Sequence, residues 1–195
     1  NFMKKLVIFD LDGTLLNTLT DLADAGNRLC RKYGWPTHER QAYRYFVGNG
    51  IPKLVERLAP ADQRTPAVLE AALADFKRDY GQHLRDTTAP YPGIPEMLAK
   101  LKANGVQLAV FSNKADALAK EVVKDYFGTQ YFTIVRGQMT GVAPKPAAEG
   151  TNALLQALHA DPASTLYVGD SNVDVETAHN ANLPCCGAVW GFRTR

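Results

Sequence analysis

The sequence predicts an α/β protein with a doubly wound, Rossmann-like parallel sheet and an inserted helical domain. Short apolar runs rich in β-forming residues recur along the chain, and helical patterns lie between them. Such runs are typical of strands buried on both faces of a parallel sheet. Near the N-terminus, one long stretch has helical periodicity instead. Strands and helices that alternate at this spacing favour a layered structure with helices packed on one sheet.

Five apolar runs are the predicted strands of the sheet. They cover residues 4–9, 106–111, 132–135, 166–168 and 185–190. The helix predicted to begin at Ile94 ends before Gly105, a residue type common at helix C-termini. The other predicted helices of this layer cover residues 115–126, 147–158 and 174–182. Each predicted strand after the first is thus separated from the next by a helix.

The stretch from residue 18 to about residue 88 departs from this alternation. Leu22 and Leu29 lie on one helical stripe, and Phe76 and Tyr80 lie on another. The proline-rich residues 90–93 have the composition of a linker that returns to the sheet. We therefore predict a discontinuous α/β core, residues 1–16 and 89–195, interrupted by a helical domain of residues 17–88.

The composition excludes several classes of protein. Of the 195 residues, 46% are hydrophobic and 22% are charged, as in an ordinary globular chain. With 22 basic and 20 acidic residues the net charge is +2, so no nucleic-acid surface is expected. No apolar run reaches the ~20 residues of a membrane helix. Cys30, Cys185 and Cys186 cannot form a disulfide framework, and a reducing cytoplasm is the expected location.

Two aspartates end the first predicted strand. Asp10 and Asp12 are two residues apart, which places both side chains on one side of the strand. Two crowded carboxylates need a cation, and a site made of oxygen ligands suits Mg²⁺. Gly13 lets the backbone turn and approach a bound anion closely. The alternative is an ordinary turn after a strand, where Asp and Gly are common.

A second polar group and a lysine follow later in the chain. Ser112-Asn113-Lys114 come directly after the strand of residues 106–111 and before a helix, where free N–H groups can bind an anion. An ordinary helix N-cap is the alternative. Lys145 stands between two prolines, whose fixed backbone aims its charge at an anion or at a buried carboxylate. The alternative there is a solvated lysine in a proline-rich loop.

A second pair of aspartates follows the strand of residues 166–168. Asp170 ends that strand, and Asp174 lies one turn into the next helix, on the same side as Asp170. For Asp174 alone, an acid that matches the helix dipole is a reasonable alternative. Ligands of open α/β sheets bind at the carboxyl ends of the strands, where all these groups are predicted to lie.

The order of these residues resembles the motif order of the haloacid dehalogenase-like hydrolase superfamily. Its four motifs match Asp10-Leu11-Asp12-Gly13-Thr14, Ser112-Asn113, Lys145 and Gly169-Asp170-Ser171-Asn172-Val173-Asp174. Within the superfamily the sequence is similar to the phosphoglycolate phosphatase branch, through Phe46-Val47-Gly48-Asn49-Gly50, Tyr91-Pro92-Gly93-Ile94 and Val189-Trp190-Gly191. The resemblance covers nearly the whole chain. It implies that residues 17–88 are a cap domain inserted after the first motif.

The resemblance also implies a mechanism. Asp10 attacks phosphorus and forms an aspartyl-phosphate, and Asp12 protonates the leaving alkoxide and then deprotonates the hydrolytic water. The implied Mg²⁺ ligands are the Asp10 carboxylate, the Asp12 carbonyl and the Asp170 carboxylate. The remaining motif residues support these groups. Ser112, the Asn113 backbone and Lys145 hold the phosphoryl oxygens, while Asp174 pairs with Lys145 or with a metal-bound water.

The substrate expected from the resemblance is 2-phosphoglycolate. Gly48-Asn49-Gly50 would bring cap backbone to the site, and Lys53 and Arg57 would meet the substrate carboxylate. An interhelical turn and solvated surface charges are the alternatives for these residues.

Other functions stay open. They are a phosphomutase, a phosphatase of another small metabolite and, in a different class, a receiver-like regulatory module with an acidic pocket. Asp12 argues against a dehalogenase, which has no leaving alkoxide to protonate. The family pattern also continues beyond Trp190-Gly191 with another helix and strand, whereas this sequence ends at Arg195.

Overall fold

The computed structural model describes residues 3–193, which divide into two compact units. The helical unit is Thr18–Ala89, and the sheet unit comprises the described residues on either side of it. The predicted boundaries, residues 17–88, lie one residue earlier at each end. Among residues 3–193, no helix combines the length and the apolar character needed to cross a membrane.

The elements of the described chain alternate as predicted outside the helical unit. In order they are β1 (Leu6–Phe9), β2 (Leu16–Asn17), α1 (Leu19–Tyr33), α2 (Arg40–Phe46), α3 (Ile51–Leu58), α4 (Pro66–Gln82), β3 (Ala89–Pro90), α5 (Ile94–Ala103), β4 (Gln107–Ala115), α6 (Asp116–Phe127), β5 (Phe132–Gln138), α7 (Ala148–Ala157), β6 (Thr165–Gly169), α8 (Asn172–Asn180) and β7 (Cys185–Gly187). The two-residue strands β2 and β3 pair with each other.

The sheet unit is built on five parallel strands in the order β5-β4-β1-β6-β7. The central strand β1 pairs along its length with Gln107–Val110 of β4 and with Thr165–Val168 of β6. Its four residues are buried, because helices cover both faces of the sheet. This arrangement confirms the predicted doubly wound α/β class.

The core shows the alternation expected of a strand. Leu6 and Ile8, two residues apart on β1, pack in one cluster with Leu154 and Leu155 of α7 and Ala178 of α8. Helices α7 and α8 therefore cover the same face of the sheet. This packing fixes the end of β1 and the start of α8, where the predicted site residues lie.

One strand is longer than predicted. The sequence places Ser112-Asn113-Lys114 after the strand, yet β4 continues through them to Ala115, and α6 begins only at Asp116. The register against β5 shifts between Phe111 and Ala115. Gly137 of β5 allows this pairing, since a Cβ there would lie 2.7 Å from the Asp116 Cα. The tripeptide is therefore part of the strand and does not directly precede the helix, while its predicted binding of an anion stays a prediction.

The last strand is shorter than predicted. Residues 185–190 were expected to form it, but β7 ends at Gly187. The Ala188 N–H still donates to the Gly169 carbonyl at 2.7 Å, and the Gly191 N–H then turns back to the Ala188 carbonyl at 3.2 Å. This turn takes Trp190 out of the sheet and sends the chain toward the loop after β6.

The helical unit packs α1 against α4. The buried residues of α1 include Leu22 and Leu29, and those of α4 include Phe76 and Tyr80, in agreement with the predicted stripes. Helix α1 ends at Tyr33 because Gly34 adopts a left-handed conformation with φ +67°.

Candidate active site

The carboxyl ends of three neighbouring strands bring predicted site residues together in the sheet unit. Asp10 follows β1, Asp170 follows β6, and Ser112 and Asn113 lie near the end of β4. Because β1 lies between β4 and β6 and all three are parallel, these residues meet at one edge of the sheet. Lys145 reaches the same place from the loop before α7.

Lys145 is the centre of this polar cluster. Its Nζ lies 3.0 Å from Asp10 Oδ1 and 2.9 Å from Asp174 Oδ1, and only 2% of its side chain is exposed. The same nitrogen donates to the Tyr167 hydroxyl at 2.8 Å and to the Phe111 carbonyl at 3.1 Å. Burial lowers the pKa of a lysine, but the carboxylates of Asp10 and Asp174 outweigh it and raise the pKa of Lys145 well above its usual range. The side chain therefore carries a fixed positive charge.

Both carboxylate oxygens of Asp174 accept hydrogen bonds from the protein. Oδ1 accepts from Lys145 and, at 2.9 Å, from the Tyr167 hydroxyl. Oδ2 accepts from the N–H groups of Asp170 and Ser171 and from the Ser171 hydroxyl. Burial raises the pKa of an aspartate, but Lys145 outweighs it and lowers the pKa of Asp174. Asp174 thus links Lys145 to the loop that carries Asp170.

The carboxylate cluster has the composition of a site for a hard divalent cation. Asp10, Asp170 and Asp174 each offer an oxygen within 4.8 Å of the others. Burial and the Asp174 charge raise the pKa of Asp10 well above its usual range, against the opposing effect of Lys145. The same two causes raise the pKa of Asp170 to about 6. A cation between Asp10 and Asp170 would relieve this crowding, so the residues present fit a metal ion.

Asp12 pairs with Lys114, a lysine for which the sequence indicated no role. Asp12 Oδ1 lies 3.0 Å from Lys114 Nζ, and 3% of the Lys114 side chain is exposed against 20% for Asp12. This buried ion pair makes Lys114 a further candidate site residue. Its separation of two residues from Ser112 on β4 was the available signal, because residues so spaced share one side of a strand.

Asn113 and Ser112 organise the backbone around Lys145 and Lys114. Asn113 Oδ1 accepts from the Lys145 N–H at 2.9 Å, and its Nδ2 donates to the Lys145 carbonyl at 3.1 Å. Ser112 Oγ accepts from the Lys114 N–H at 3.1 Å. The Asn113 side chain therefore fixes the loop that carries Lys145, a function that the sequence did not indicate. The predicted contacts of Ser112 and Asn113 with a phosphoryl group stay predictions.

The other predicted residues lie in the helical unit, near the turn between α2 and α3. Gly48 in this turn has a φ of +115°, which favours glycine. The guanidinium of Arg57 donates to the Phe46 carbonyl at 2.9 Å and to Asn49 Oδ1 at 3.0 Å. Arg57 thus stabilises the turn, whatever else it contacts.

Lys53 forms one exposed ion pair, whereas Arg57 donates hydrogen bonds to the turn. Its Nζ lies 2.8 Å from Glu56 Oε2, with 47% of the Lys53 side chain and 40% of the Glu56 side chain exposed. Exposed pairs of this kind contribute little stability, so the ammonium can exchange partners at small cost. The predicted contacts of Gly48, Asn49, Lys53 and Arg57 with a substrate stay predictions.

Fold and site together define a class of protein: a doubly wound α/β core with paired aspartates after β1 and a buried lysine–aspartate pair beside them. The family profile of the haloacid dehalogenase-like hydrolases matches residues 7–188. The chain therefore belongs to this family, as its motif order indicated.

Named relatives cover almost all of the chain. It is 30% identical over 191 residues to the phosphoglycolate phosphatase of Thiobacillus denitrificans, an alignment that spans 96% of this chain and 84% of the relative. It is 33% identical over 189 residues to the phosphoglycolate phosphatase of Neisseria meningitidis, spanning 95% of this chain and 80% of the relative.

A solved structure confirms the fold. A protein from Lactobacillus delbrueckii subsp. bulgaricus, described as a candidate phosphoglycolate phosphatase, superposes with a TM-score of 0.91. The two chains are 29% identical, and the superposition covers 98% of this chain and 89% of the other.

Proposed function

We propose that the protein is a Mg²⁺-dependent phosphatase that hydrolyses 2-phosphoglycolate through an aspartyl-phosphate intermediate. The observation that carries this proposal is the contact of buried Lys145 with both Asp10 and Asp174, beside the Asp12–Lys114 pair. The names of the relatives support the choice of substrate. A cytoplasmic location belongs to the same proposal.

Asp10 is the proposed nucleophile. One of its carboxylate oxygens forms a bond to phosphorus while the bond from phosphorus to the glycolate oxygen breaks. Lys145 contacts Oδ1 at 3.0 Å and so fixes the rotation of the carboxylate. A carboxylate held in this way needs little reorganisation before attack, which is the main source of rate in phosphoryl transfer.

Asp12 is the proposed acid and base. It gives a proton to the departing glycolate oxygen. It then takes one from the water whose oxygen bonds to phosphorus while the bond from phosphorus to the Asp10 oxygen breaks, so that phosphate is released. The Lys114 ammonium, 3.0 Å from Asp12 Oδ1, orients this carboxylate.

The carboxylates of Asp10 and Asp170 and the carbonyl of Asp12 would hold the metal. Bound there, Mg²⁺ supplies positive charge that offsets repulsion between the carboxylates and the phosphoryl group. Ser112, the Asn113 backbone and Lys145 hold the phosphoryl oxygens, and Asp174 keeps Lys145 in place.

The proposal is tested with a panel of small phosphomonoesters, by phosphate release with Mg²⁺ and with EDTA. We expect 2-phosphoglycolate to have the highest kcat/KM and EDTA to abolish turnover reversibly. The matched variant Asp10→Asn keeps the side-chain volume but removes the nucleophile, so its activity should fall to background with an unchanged circular dichroism spectrum. Near-native activity in this variant would exclude Asp10 as the nucleophile. Isomerisation of a sugar phosphate without phosphate release would instead identify a phosphomutase.

A further inference from the structure

We infer that Trp190-Gly191-Phe192, a segment outside the four motifs, positions the Asp170 carboxylate for the divalent cation. This inference rests on the metal site of the proposed function. It assigns a role to the Trp-Gly pattern that the reaction chemistry leaves unexplained. The three residues follow β7, where the chain turns out of the sheet.

The Asp170 carboxylate lies in a slot between two glycines. A Cβ added at Gly191 would overlap the Asp170 Cβ and would lie 2.5 Å from the Gly13 carbonyl oxygen. A Cβ added at Gly13, whose φ is +87°, would overlap Asp170 Oδ2. Only residues without a side chain allow the loop after β1, the loop after β6 and the segment after β7 to approach so closely.

Donors on both sides of the slot fix the rotation of the Asp170 carboxylate. Oδ1 accepts from the Thr14 hydroxyl at 3.2 Å, and Oδ2 accepts from the Phe192 N–H at 2.8 Å. Each oxygen thus accepts from one of these two donors, and the carboxylate, which also contacts the Asp10 side chain, keeps lone pairs for a further ligand. The Phe192 ring also closes the slot, since its Cδ2 would lie 3.0 Å from a Cβ at Gly13.

Trp190 attaches the segment to the first motif. Its indole Nε1 donates to the Thr14 carbonyl at 2.9 Å, and its ring lies 6.4 Å from the Tyr91 ring, centroid to centroid. Yet 44% of Trp190 is exposed, so the side chain is only partly packed in the core. Trp190 is large and half-exposed, and its indole N–H donates to a carbonyl of the first motif. A positioning role explains these features better than packing does.

The expected consequence concerns cation affinity. A shift of the segment moves the Phe192 N–H away from Asp170, and the carboxylate can then rotate out of the orientation that faces Asp10. Metal affinity should fall, while a saturating metal concentration should recover most of the rate. When a group that hydrogen-bonds a metal ligand is removed, the affinity of the protein for the metal commonly falls by roughly 10- to 100-fold.

The test measures Mn²⁺ binding to the full chain without substrate, by the electron paramagnetic resonance signal of free Mn²⁺. Gly191→Ala should weaken binding by roughly tenfold or more. Trp190→Phe keeps an aromatic ring but loses the indole N–H donor. It should weaken Mn²⁺ binding by about two- to tenfold, the effect expected from the loss of one hydrogen bond. Val189→Ala is the control, because Val189 is 59% exposed and precedes the segment. Asp170→Asn sets the scale for loss of the ligand itself.

The outcomes separate the inference from the proposed function. If Asp170→Asn loses Mn²⁺ but Gly191→Ala and Trp190→Phe bind it like the wild type, the positioning role is wrong and the metal site stands. If Asp170→Asn binds Mn²⁺ as tightly as the wild type, the proposed metal site fails, and this inference fails with it. Should Gly191→Ala not fold, the Trp190→Phe titration decides alone. A matching rise in the Mg²⁺ concentration for half-maximal turnover, with kcat retained, is the expected kinetic counterpart.

Discussion

Within the site, a lysine and a tyrosine stabilise a group of carboxylates that lie close together. The oxygens of Asp10, Asp170 and Asp174 lie within 4.8 Å of one another, and the buried Lys145 contacts two of these carboxylates. Tyr167 accepts from Lys145 and donates to Asp174, so a neutral hydroxyl relays the contact. Removing one partner from such a buried cluster typically costs about 3–5 kcal/mol, because a charge is left without compensation.

Asp12→Asn should separate acid–base chemistry from metal binding. The substitution removes the proton donor and base but keeps the backbone carbonyl that is the proposed ligand. We expect kcat to fall by ~10²-fold or more, the usual scale of general acid–base catalysis. Mn²⁺ titration should give nearly the wild-type affinity. A variant with weakened metal binding and a normal rate at saturating metal would contradict this division of roles.

Lys114→Met should reduce turnover through its effect on Asp12. Without the ammonium 3.0 Å away, the Asp12 carboxylate loses the contact that orients it. We expect kcat to fall about tenfold or more, because the Asp12 carboxylate loses the ion-pair partner that compensates its charge. Lys120→Met removes an exposed lysine of α6 and is the control.

A double-mutant cycle identifies the path of this effect. If Lys114 acts through Asp12, the double variant loses little more than Asp12→Asn alone, because the two residues form one unit. Additive losses would show that Lys114 contributes to the reaction independently of Asp12.

At the scale of secondary structure, the existence and order of the sheet elements could be predicted, but their ends could not. Apolar runs marked all five strands of the sheet, whereas the extension of β4 to Ala115 depends on its contact with Gly137 of β5. Likewise, β7 ends at Gly187 because the chain turns toward Asp170. Both ends are set by residues far away in the sequence, which periodicity does not register.

The same reason limits what could be predicted of the site. The four motifs indicated the carboxylates and Lys145, since these residues follow strand ends, lie in the first turn of the next helix or stand between prolines. In the sequence, Tyr167 is not distinguished from the other residues of a buried strand. Only the structure shows its hydroxyl between Lys145 and Asp174. The two hydrogen bonds between Asn113 and Lys145 join residues 32 positions apart, so only the folded chain reveals them.

In the helical unit, Asp21 joins the start of α1 to the end of the unit. Its carboxylate, 2% exposed as a residue, accepts from the N–H and hydroxyl groups of both Thr87 and Thr88. Burial raises the pKa of an aspartate, but these hydrogen bonds outweigh it and lower the pKa of Asp21. The stabilisation is therefore present above the unfolded pKa of about 3.9 and is lost as the pH falls through the lower folded value.

Asp21→Asn should accordingly destabilise the helical unit at neutral pH. An amide offers one acceptor where the carboxylate offers two, so buried donors lose partners at a cost on the order of 2 kcal/mol. Amide exchange at Thr87 and Thr88 should accelerate at pH 7, and its difference from the wild type should shrink below about pH 4. Asp24→Asn, on the exposed side of the same helix, is the control. A difference that grows on acidification would overturn the assignment.

At the scale of the whole molecule, chemistry and proposed substrate selection fall in different units. The carboxylates, Lys145 and Lys114 belong to the sheet unit, and the cations proposed to meet a substrate carboxylate belong to the helical unit. Such a division would let one reaction be combined with different substrates, because all the proposed phosphoryl contacts belong to the sheet unit. The reaction class is thus supported by the site geometry, whereas the proposed substrate is supported by the names of the relatives and by two cations near one turn.

Lys53 and Arg57 give the two cations distinct expected behaviour. Lys53 pairs only at the surface with Glu56, whereas Arg57 donates to the Phe46 carbonyl and to Asn49. Lys53→Met therefore removes a charge without disturbing the turn. Arg57→Lys keeps the charge but loses the guanidinium, whose two nitrogens donate to the turn. Glu56→Gln removes the ion-pair partner of Lys53 and is the matched control.

Loss of one hydrogen bond between a cationic side chain and the substrate carboxylate costs about 1.5–3 kcal/mol, which lowers kcat/KM by roughly 10- to 150-fold. If either cation contacts that carboxylate, its variant should show this loss on 2-phosphoglycolate and little change on p-nitrophenyl phosphate, which has no carboxylate. Glu56→Gln should leave both substrates nearly unaffected. Equal losses on both substrates in the Arg57 variant would assign Arg57 to the turn alone. If neither variant discriminates between the substrates, other residues must bind the carboxylate, and the choice of phosphoglycolate then depends on the relatives alone.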